Sequence, residues 1–167
     1  MPKVFTIMYL AIVCMLVQPV QAMPNPWTNC GDDIVCGAEV AGFSFPLQVK
    51  NYTIRAMKDM VEIRFPLDSE RRVIVRKSLT PYGEPDENGI IDISGDYNRY
   101  PVNSTIELEN GVRFSIRGNE DSYKVINFAS ETGYYCIICD KGLHLADIEY
   151  FYKLLKEAEA PSENLEN

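Results

Sequence analysis

Short segments of alternating apolar and polar residues fill the middle of this chain and constrain its fold more than any other feature. The clearest pair covers residues 104–109 and 112–117, and Asn110-Gly111 separates them. An Asn-Gly pair between two alternating segments is the strongest short-range signal for a β-hairpin. Opposed Glu and Arg side chains are expected to pair across its solvent-facing side. This pattern predicts antiparallel β-structure.

Comparable segments recur on both sides of the hairpin. The further strand candidates are residues 43–49, 52–57, 60–67, 72–77, 90–93, 122–128 and 133–139. Residues 80–89 form the longest predicted loop, because they are rich in turn-forming and acidic residues. Such a succession of short strands is typical of an antiparallel meander.

Two helices are predicted at the ends of this series. Asp32 or Asp33 is expected to cap a short helix that runs to about Val40 and ends at Gly42. A longer helix is predicted over residues 145–158. Its apolar stripe comprises Ile148, Phe151, Tyr152 and Leu155. We therefore predict an α+β fold, an antiparallel meander sheet of roughly seven to eight strands with a short N-terminal helix and a longer C-terminal helix packed on it.

The N-terminal segment predicts export. Residues 4–17 are apolar apart from Thr6, Lys3 precedes them, and Val20-Gln21-Ala22 places small residues where a signal peptidase reads. The apolar stretch is too short for a comfortable membrane span, and a retained anchor is the alternative. We predict a signal peptide cleaved after Ala22 and a secreted or periplasmic protein, with no membrane insertion after cleavage.

This cleavage divides the chain into four parts. The predicted parts are a signal peptide at 1–22, an extended entry segment at 23–31, a single α+β domain at 32–158 and a disordered tail at 159–167. The remaining length suffices for one domain with a real core. We expect the protein to be a monomer.

Charge excludes one class of partner. Removal of Lys3 with the signal leaves 15 basic against 24 acidic residues, a net charge of −9. Such a protein repels phosphate backbones and anionic membrane surfaces, so we expect no nucleic-acid partner. The local exception is a basic cluster of Arg71, Arg72, Arg76 and Lys77. A solvated edge is its favoured interpretation, and an anion or partner site is the alternative.

Four cysteines remain after the predicted cleavage, Cys30, Cys36, Cys136 and Cys139. An even number in an exported chain predicts disulfides. Alternation along a strand points Cys136 and Cys139 to opposite sides, so they are not expected to bond to each other. The favoured pairing is Cys30–Cys139 with Cys36–Cys136, or the exchanged pairing. Each such link closes about 100 residues and contributes about 4–5 kcal/mol in the chain-entropy model. A local Cys30–Cys36 bond and a zinc site are the alternatives.

The run Asp92-Ile93-Ser94-Gly95-Asp96-Tyr97 is the most conspicuous candidate for binding. A calcium loop needs more oxygens than it offers, so an Asx- or Ser-stabilised turn with Gly95 at positive φ is favoured and no metal is predicted. The full set of predicted ligand or partner contacts is Asp92, Ser94, Asp96, Tyr97, Arg99, Tyr100, Arg76 and Lys77.

No set of residues predicts catalysis. His144 is the only histidine, no serine lies in a Gly-x-Ser-x-Gly elbow, and no phosphate-binding loop is present in the sequence. We therefore predict no catalytic residues and no cofactor.

Several short runs resemble a set of small exported bacterial proteins of unknown function, found mainly in Firmicutes. They are Ala41-Gly42-Phe43, Asn51-Tyr52-Thr53-Ile54-Arg55, Val75-Arg76-Lys77, Asp92-Ile93-Ser94-Gly95-Asp96-Tyr97 and Gly133-Tyr134-Tyr135. The Arg-Lys pair followed by Asp-Ile-Ser-Gly-Asp-Tyr is the most specific part. The resemblance covers about residues 30–156 and implies export and one compact domain, with no catalytic residues to transfer. His144 departs from it, since related chains often carry Ser or Thr there.

Together these features predict an exported, non-enzymatic binding or interaction domain at or beyond the bacterial envelope. Its ligand, an unknown protein or small molecule, would meet a sheet face or the loop at 80–100. One alternative is a thiol-disulfide redox protein that uses Cys136 and Cys139. The other is an envelope carrier of apolar cargo, with a curved sheet closed by the last helix.

Overall fold

The computed structural model describes residues 25–45 and 49–159, in which one antiparallel sheet of eight strands carries two helices. The strands are β1 (Thr28–Gly31), β2 (Thr53–Met57), β3 (Met60–Pro66), β4 (Arg72–Ser78), β5 (Val102–Glu107), β6 (Arg113–Asn119), β7 (Ser122–Ser130) and β8 (Gly133–Leu143). The helices are α1 (Ile34–Ala41) and α2 (Leu145–Glu159). The predicted α+β fold is confirmed. The predicted signal peptide lies outside the described residues, as does the tail beyond Glu159.

The sheet consists of two four-stranded meanders that meet in its centre. The strand order is β1-β2-β3-β4-β8-β7-β6-β5, and every pair is antiparallel. Strands β4 and β8 join the two halves, with Val75 opposite Ile137. Residues 79–101 connect β4 to the far edge strand β5. This long connection returns across one face of the sheet, where it becomes important for the candidate site.

Three segments differ from the sequence-based prediction in whether they form a strand. The entry segment contributes β1, which pairs with β2 and extends the domain towards the N-terminus. At 43–49 the described residues form no strand. The segment 90–93 makes only one bridge, Pro85 with Ile91. Its other bonds include the Ile90 amide to Asp86 Oδ1 at 2.8 Å and the Asp86 amide to the Ile90 carbonyl at 2.8 Å.

The hairpin and both helices follow the predicted local signals. Glu107 lies opposite Arg113 and their side chains pair at 3.3 Å. The Asp33 carboxylate caps α1 by accepting from the Cys36 amide at 3.1 Å, and Gly42 ends it with φ +80°. The predicted stripe of α2 is buried against the sheet.

Helices α1 and α2 cover one side of the sheet, which we call the helix face. Its core contains an aromatic cluster in which Phe128 stacks on Tyr135 at 5.0 Å and meets Tyr152 at 5.7 Å. We call the opposite side the loop face, because residues 90–100 lie on part of it. A smaller apolar cluster there includes Ile93 and Cys136.

The favoured disulfide pairing is wrong, and the local alternative is correct. Cys30 at the end of β1 bonds to Cys36 in the first turns of α1, with a Cα–Cα distance of 5.7 Å. Cys136 and Cys139 are free and buried on opposite faces of β8. The prediction failed because β2, β3 and β4 separate β1 from β8 in the sheet, and Cys136 lies on the face opposite to α1. Among the described residues, no helix is long and apolar enough to cross a membrane.

Candidate binding site on the loop face

A buried carboxylate organises the arginines of the loop face. The side chain of Glu62 is 0% exposed, and its oxygens accept from Arg64 Nε at 2.5 Å and from the Arg76 guanidinium at 2.6 Å. Arg55 lies further away, at 3.8 Å. Cross-strand register brings them together, because Glu62 lies opposite both Arg55 on β2 and Arg76 on β4. A buried charge of this kind requires paired and hydrogen-bonded partners.

Trp27 covers two of these arginines. The guanidinium of Arg55 lies 5.0 Å from the centre of the indole ring, and that of Arg76 lies 5.5 Å from it. Both distances fall within the range of cation–π attraction. The entry segment therefore packs on the loop face, and Arg55 and Arg76 are occupied by contacts within the protein.

Arg76 and Arg117 fix the 90–100 loop to the sheet, and we call these contacts the loop latch. Arg76 Nη1 donates to the carbonyl oxygens of Ile93, at 3.2 Å, and Ser94. Arg117 bonds the Asp92 carboxylate at 2.7 Å, the Ser94 hydroxyl at 2.9 Å and the Asp96 carbonyl at 2.9 Å. The predicted Arg-Lys and Asp-Ile-Ser-Gly-Asp-Tyr motifs are thus in direct contact through Arg76.

The polar residues of this loop also make its turns. Asp92 Oδ1 accepts from the Ser94 amide at 2.8 Å and Ser94 Oγ accepts from the Asp96 amide at 3.0 Å, while Gly95 has φ +63°. The predicted turn with Gly95 at positive φ is confirmed. Because these side chains are engaged within the chain, they are poorly suited to ligand contact.

Asp96 closes the loop through Tyr100. The tyrosine hydroxyl donates to Asp96 Oδ2 at 2.8 Å. Burial opposes ionisation of this carboxyl, but hydrogen bonds from the Asn98 amide and from Tyr100 hold the pKa of Asp96 below its ordinary value. The remaining predicted contacts, Tyr97 and Arg99, are exposed, Tyr97 to 94%.

The favoured interpretation of the basic cluster as a solvated edge is wrong for two of its members. Strand β4 lies in the centre of the sheet, where both faces are covered at Arg76 and Lys77. Because successive side chains point to opposite faces, Arg76 lies in the loop latch and Lys77 faces the helix side. The Lys77 ammonium donates to Thr132 Oγ1 at 2.9 Å and lies 5.1 Å from the centre of the Tyr135 ring. Only 7% of the residue is exposed. Lys77 therefore supports the helix-side core and does not belong to a loop-face site.

The part of the loop face that the latch leaves open contains a groove of about 630 Å³. We call it the arginine groove, and its wall includes Asn51, Thr53, Arg64, Arg72, Ile74, Ile138 and Asp140. Ile74 and Ile138 lie opposite each other on β4 and β8 and are half-buried. Two guanidinium groups therefore stand beside an apolar floor.

The two groove arginines have donors to spare. Arg64 uses Nε for Glu62, and its two Nη groups meet no partner among the residues that the structure describes. The guanidinium of Arg72 likewise has none in this set, and only its backbone amide is bonded, to Asp140 Oδ1 at 3.1 Å. Sequence reasoning named Arg72 but missed Arg64, Ile74 and Ile138. Alternation within β3 and β4 could have indicated Arg64, since alternation puts Arg64 on the face of Glu62 and puts Arg72 on the face of Arg76. Pairing of Glu62 with Arg76 joins the two faces.

The free thiols are poorly suited to redox chemistry. Cys136 and Cys139 are both buried, in separate apolar clusters on opposite faces. Burial raises the pKa of both thiols, which lowers the fraction of reactive thiolate.

The described residues offer binding groups more readily than catalytic ones. In these ranges no three His, Cys, Asp or Glu side chains come together as metal ligands. His144 Nδ1 contacts the Asp121 carbonyl at 2.5 Å, at the start of α2 and away from the groove. No family model matches the chain, and no curated protein or solved structure matches it either.

Proposed function

We propose that this chain is an exported, non-enzymatic binding domain that recognises its ligand in the arginine groove. The observation that carries the proposal is the pair of guanidinium groups, Arg64 and Arg72, with uncommitted donors beside an apolar floor. Half-buried apolar residues with a few convergent polar groups are typical of ligand sites. The N-terminal sequence pattern and the Cys30–Cys36 bond support export, since disulfides persist in oxidising compartments.

The 80–100 loop has a supporting role in this proposal. Its polar side chains hold it against the sheet through Arg76 and Arg117. A latched loop defines one border of the exposed sheet surface and costs little entropy on binding, because it is already ordered. Of the two surfaces that the sequence suggested, a sheet face and the 80–100 loop, we therefore propose the sheet face beside the loop as the recognition surface.

Neither alternative has equal support. A redox role for Cys136 and Cys139 conflicts with their burial and their position on opposite faces. A carrier of apolar cargo would use the helix face, where a groove of about 720 Å³ lies beside Tyr152 and Leu155. Its entrance leads to the packed rings of Phe128 and Tyr135 rather than to an open interior.

Ligand-observed saturation-transfer NMR tests the proposed site. A library of small acids, amines, sugars and neutral compounds is screened against the wild-type protein, Arg72→Glu and the matched control Arg99→Glu. Both arginines are exposed, but only Arg72 lines the groove. We expect hits that disappear with R72E and persist with R99E. Hits that disappear with R99E alone, or a library without hits, would contradict the proposal.

A further inference from the structure

We infer that the arginine groove takes a small monocarboxylate with an apolar tail. This inference rests on the proposed binding function and adds the chemical class of the ligand. It follows from the charge of the groove, the orientation of its donors and the nature of its floor.

The charge of the groove suits one negative charge. Two guanidinium groups, Arg64 and Arg72, line the groove with one carboxylate, Asp140, which gives one net positive charge among the lining side chains. The buried carboxylate of Glu62 behind Arg64 is balanced by Arg76. A dianion such as a phosphate monoester would have to approach Asp140 with a second negative charge. A monocarboxylate balances the groove without that repulsion. In a chain with a net charge of −8, this local positive charge selects anions that the remaining surface repels.

Glu62 leaves the outer donors of Arg64 available. Because Glu62 takes Nε, at 2.5 Å, the two Nη groups at the tip of Arg64 remain for a ligand. Their parallel N–H bonds match the two oxygens of a carboxylate, and such bidentate pairs are stronger and more selective than single hydrogen bonds. The side chain of Arg64 is 41% exposed, so the tip is accessible from solvent. Since the hydrogen bond from Nε to Glu62 already fixes the guanidinium of Arg64, little side-chain entropy is lost when a ligand binds.

The floor of the groove explains the apolar tail. Ile74 and Ile138 lie side by side on central strands and keep part of their surface exposed. An alkyl or aryl group laid across them removes apolar surface from water, at about 25 cal/mol per Å². The volume of about 630 Å³ falls within the range of small-molecule sites rather than of extended protein interfaces.

Isothermal titration calorimetry with octanoate, 1-octanol and octylammonium tests the inference. The protein is used as wild type, Arg64→Gln, Arg72→Gln and the control Arg99→Gln. We expect octanoate to bind the wild type and R99Q with the same Kd within about twofold. We expect R64Q and R72Q each to weaken it at least about tenfold, because each removes a charged hydrogen bond. R72Q breaks no ion pair of the described structure, so it remains informative if R64Q fails to fold.

Different results separate the two proposals. Octanol or octylammonium binding as tightly as octanoate, with sensitivity to R72Q, would overturn the carboxylate and leave the groove as the binding site. Octanoate binding that neither R64Q nor R72Q weakens would overturn both. If none of the three probes binds, the carboxylate inference is wrong, and the library screen with R72E alone decides the binding function.

Discussion

Glu62 is the residue on which the loop face most depends. Its carboxylate is shielded from water and is compensated by Arg64 and Arg76, and the latter also holds the 90–100 loop. Removal of one member of a buried charge network leaves the others without compensation, and this costs more than the loss of an exposed pair.

Glu62→Gln should therefore be strongly destabilising. We expect the free energy of unfolding to fall by about 3–5 kcal/mol, because the neutral amide leaves two guanidinium groups partly unpaired. The control Glu107→Gln removes the exposed pair with Arg113 and should cost less than about 1 kcal/mol. Urea denaturation followed by circular dichroism measures both. Equal losses in the two variants would contradict a structural role for Glu62.

The two free thiols should be inert in the native protein. Cys136 and Cys139 are buried, so iodoacetamide at neutral pH should modify neither until the chain is unfolded, when both should react without a reductant. Cys30 and Cys36 should react only after reduction. Mass spectrometry of the alkylated chain shows which of the four cysteines are modified under each condition. Rapid modification of the native protein would instead revive the redox alternative.

The loop latch determines how much of the sheet remains open. Arg117→Gln removes the charged contacts to Asp92, Ser94 and Asp96 and should release the loop. We expect amide hydrogen exchange across residues 91–96 to rise at least about tenfold, from the loss of hydrogen bonds to a charged group. Arg113→Gln is the control, because it lies on the same strand but outside the latch. Unchanged exchange in R117Q would mean that Arg117 does not hold the loop.

The turn that Asp96 closes through Tyr100 should depend on pH. Because the folded pKa of Asp96 is lowered, its stabilising contribution is complete above its unfolded pKa of about 3.9 and is lost as pH falls through the folded value. Wild type should therefore lose more stability than Asp96→Asn between about pH 5 and pH 2. Denaturant titrations at several pH values compare the two proteins. Equal losses of stability in the two proteins over this pH range would count against an ionised Asp96 carboxylate in this turn.

The sequence predicted the local structure well, but it did not predict which distant strands pair. The Asn110-Gly111 hairpin, the Asp33 cap and the stripe of α2 each depend on residues near in sequence, and all were predicted. The pairing of β4 with β8 joins residues about 60 positions apart, and no local pattern specifies it. The inward position of Lys77 and the failed cross-links to β8 follow from that pairing.

In the candidate site, too, local features were predictable and long-range contacts were not. The turn at Gly95 was predicted from its residue types, because these residues are near in sequence. The roles of the loop residues were not predictable, because the hydrogen bonds of Arg76 and Arg117 with the loop join positions 17 to 23 residues apart, which no local pattern specifies. Functional and structural uses of Asp and Ser look alike in a sequence until their partners are known.

The whole molecule has two unequal faces. Helices α1 and α2 cover one side of the sheet, and the loop covers part of the other. Grooves lie beside α2 on the helix face, and the arginine groove lies on the loop face. The arginine groove differs from the grooves of the helix face in its two guanidinium groups, since that of Arg72 and the Nη groups of Arg64 have no partner in the described structure.

Mapping of octanoate by amide chemical-shift changes in a ¹⁵N-labelled protein decides between these faces. We expect the largest changes at Arg64, Ile74 and Ile138, with residues beside α2 unaffected. Changes concentrated instead at Tyr152 and Leu155 would place the ligand on the helix face and contradict the arginine groove as the binding site.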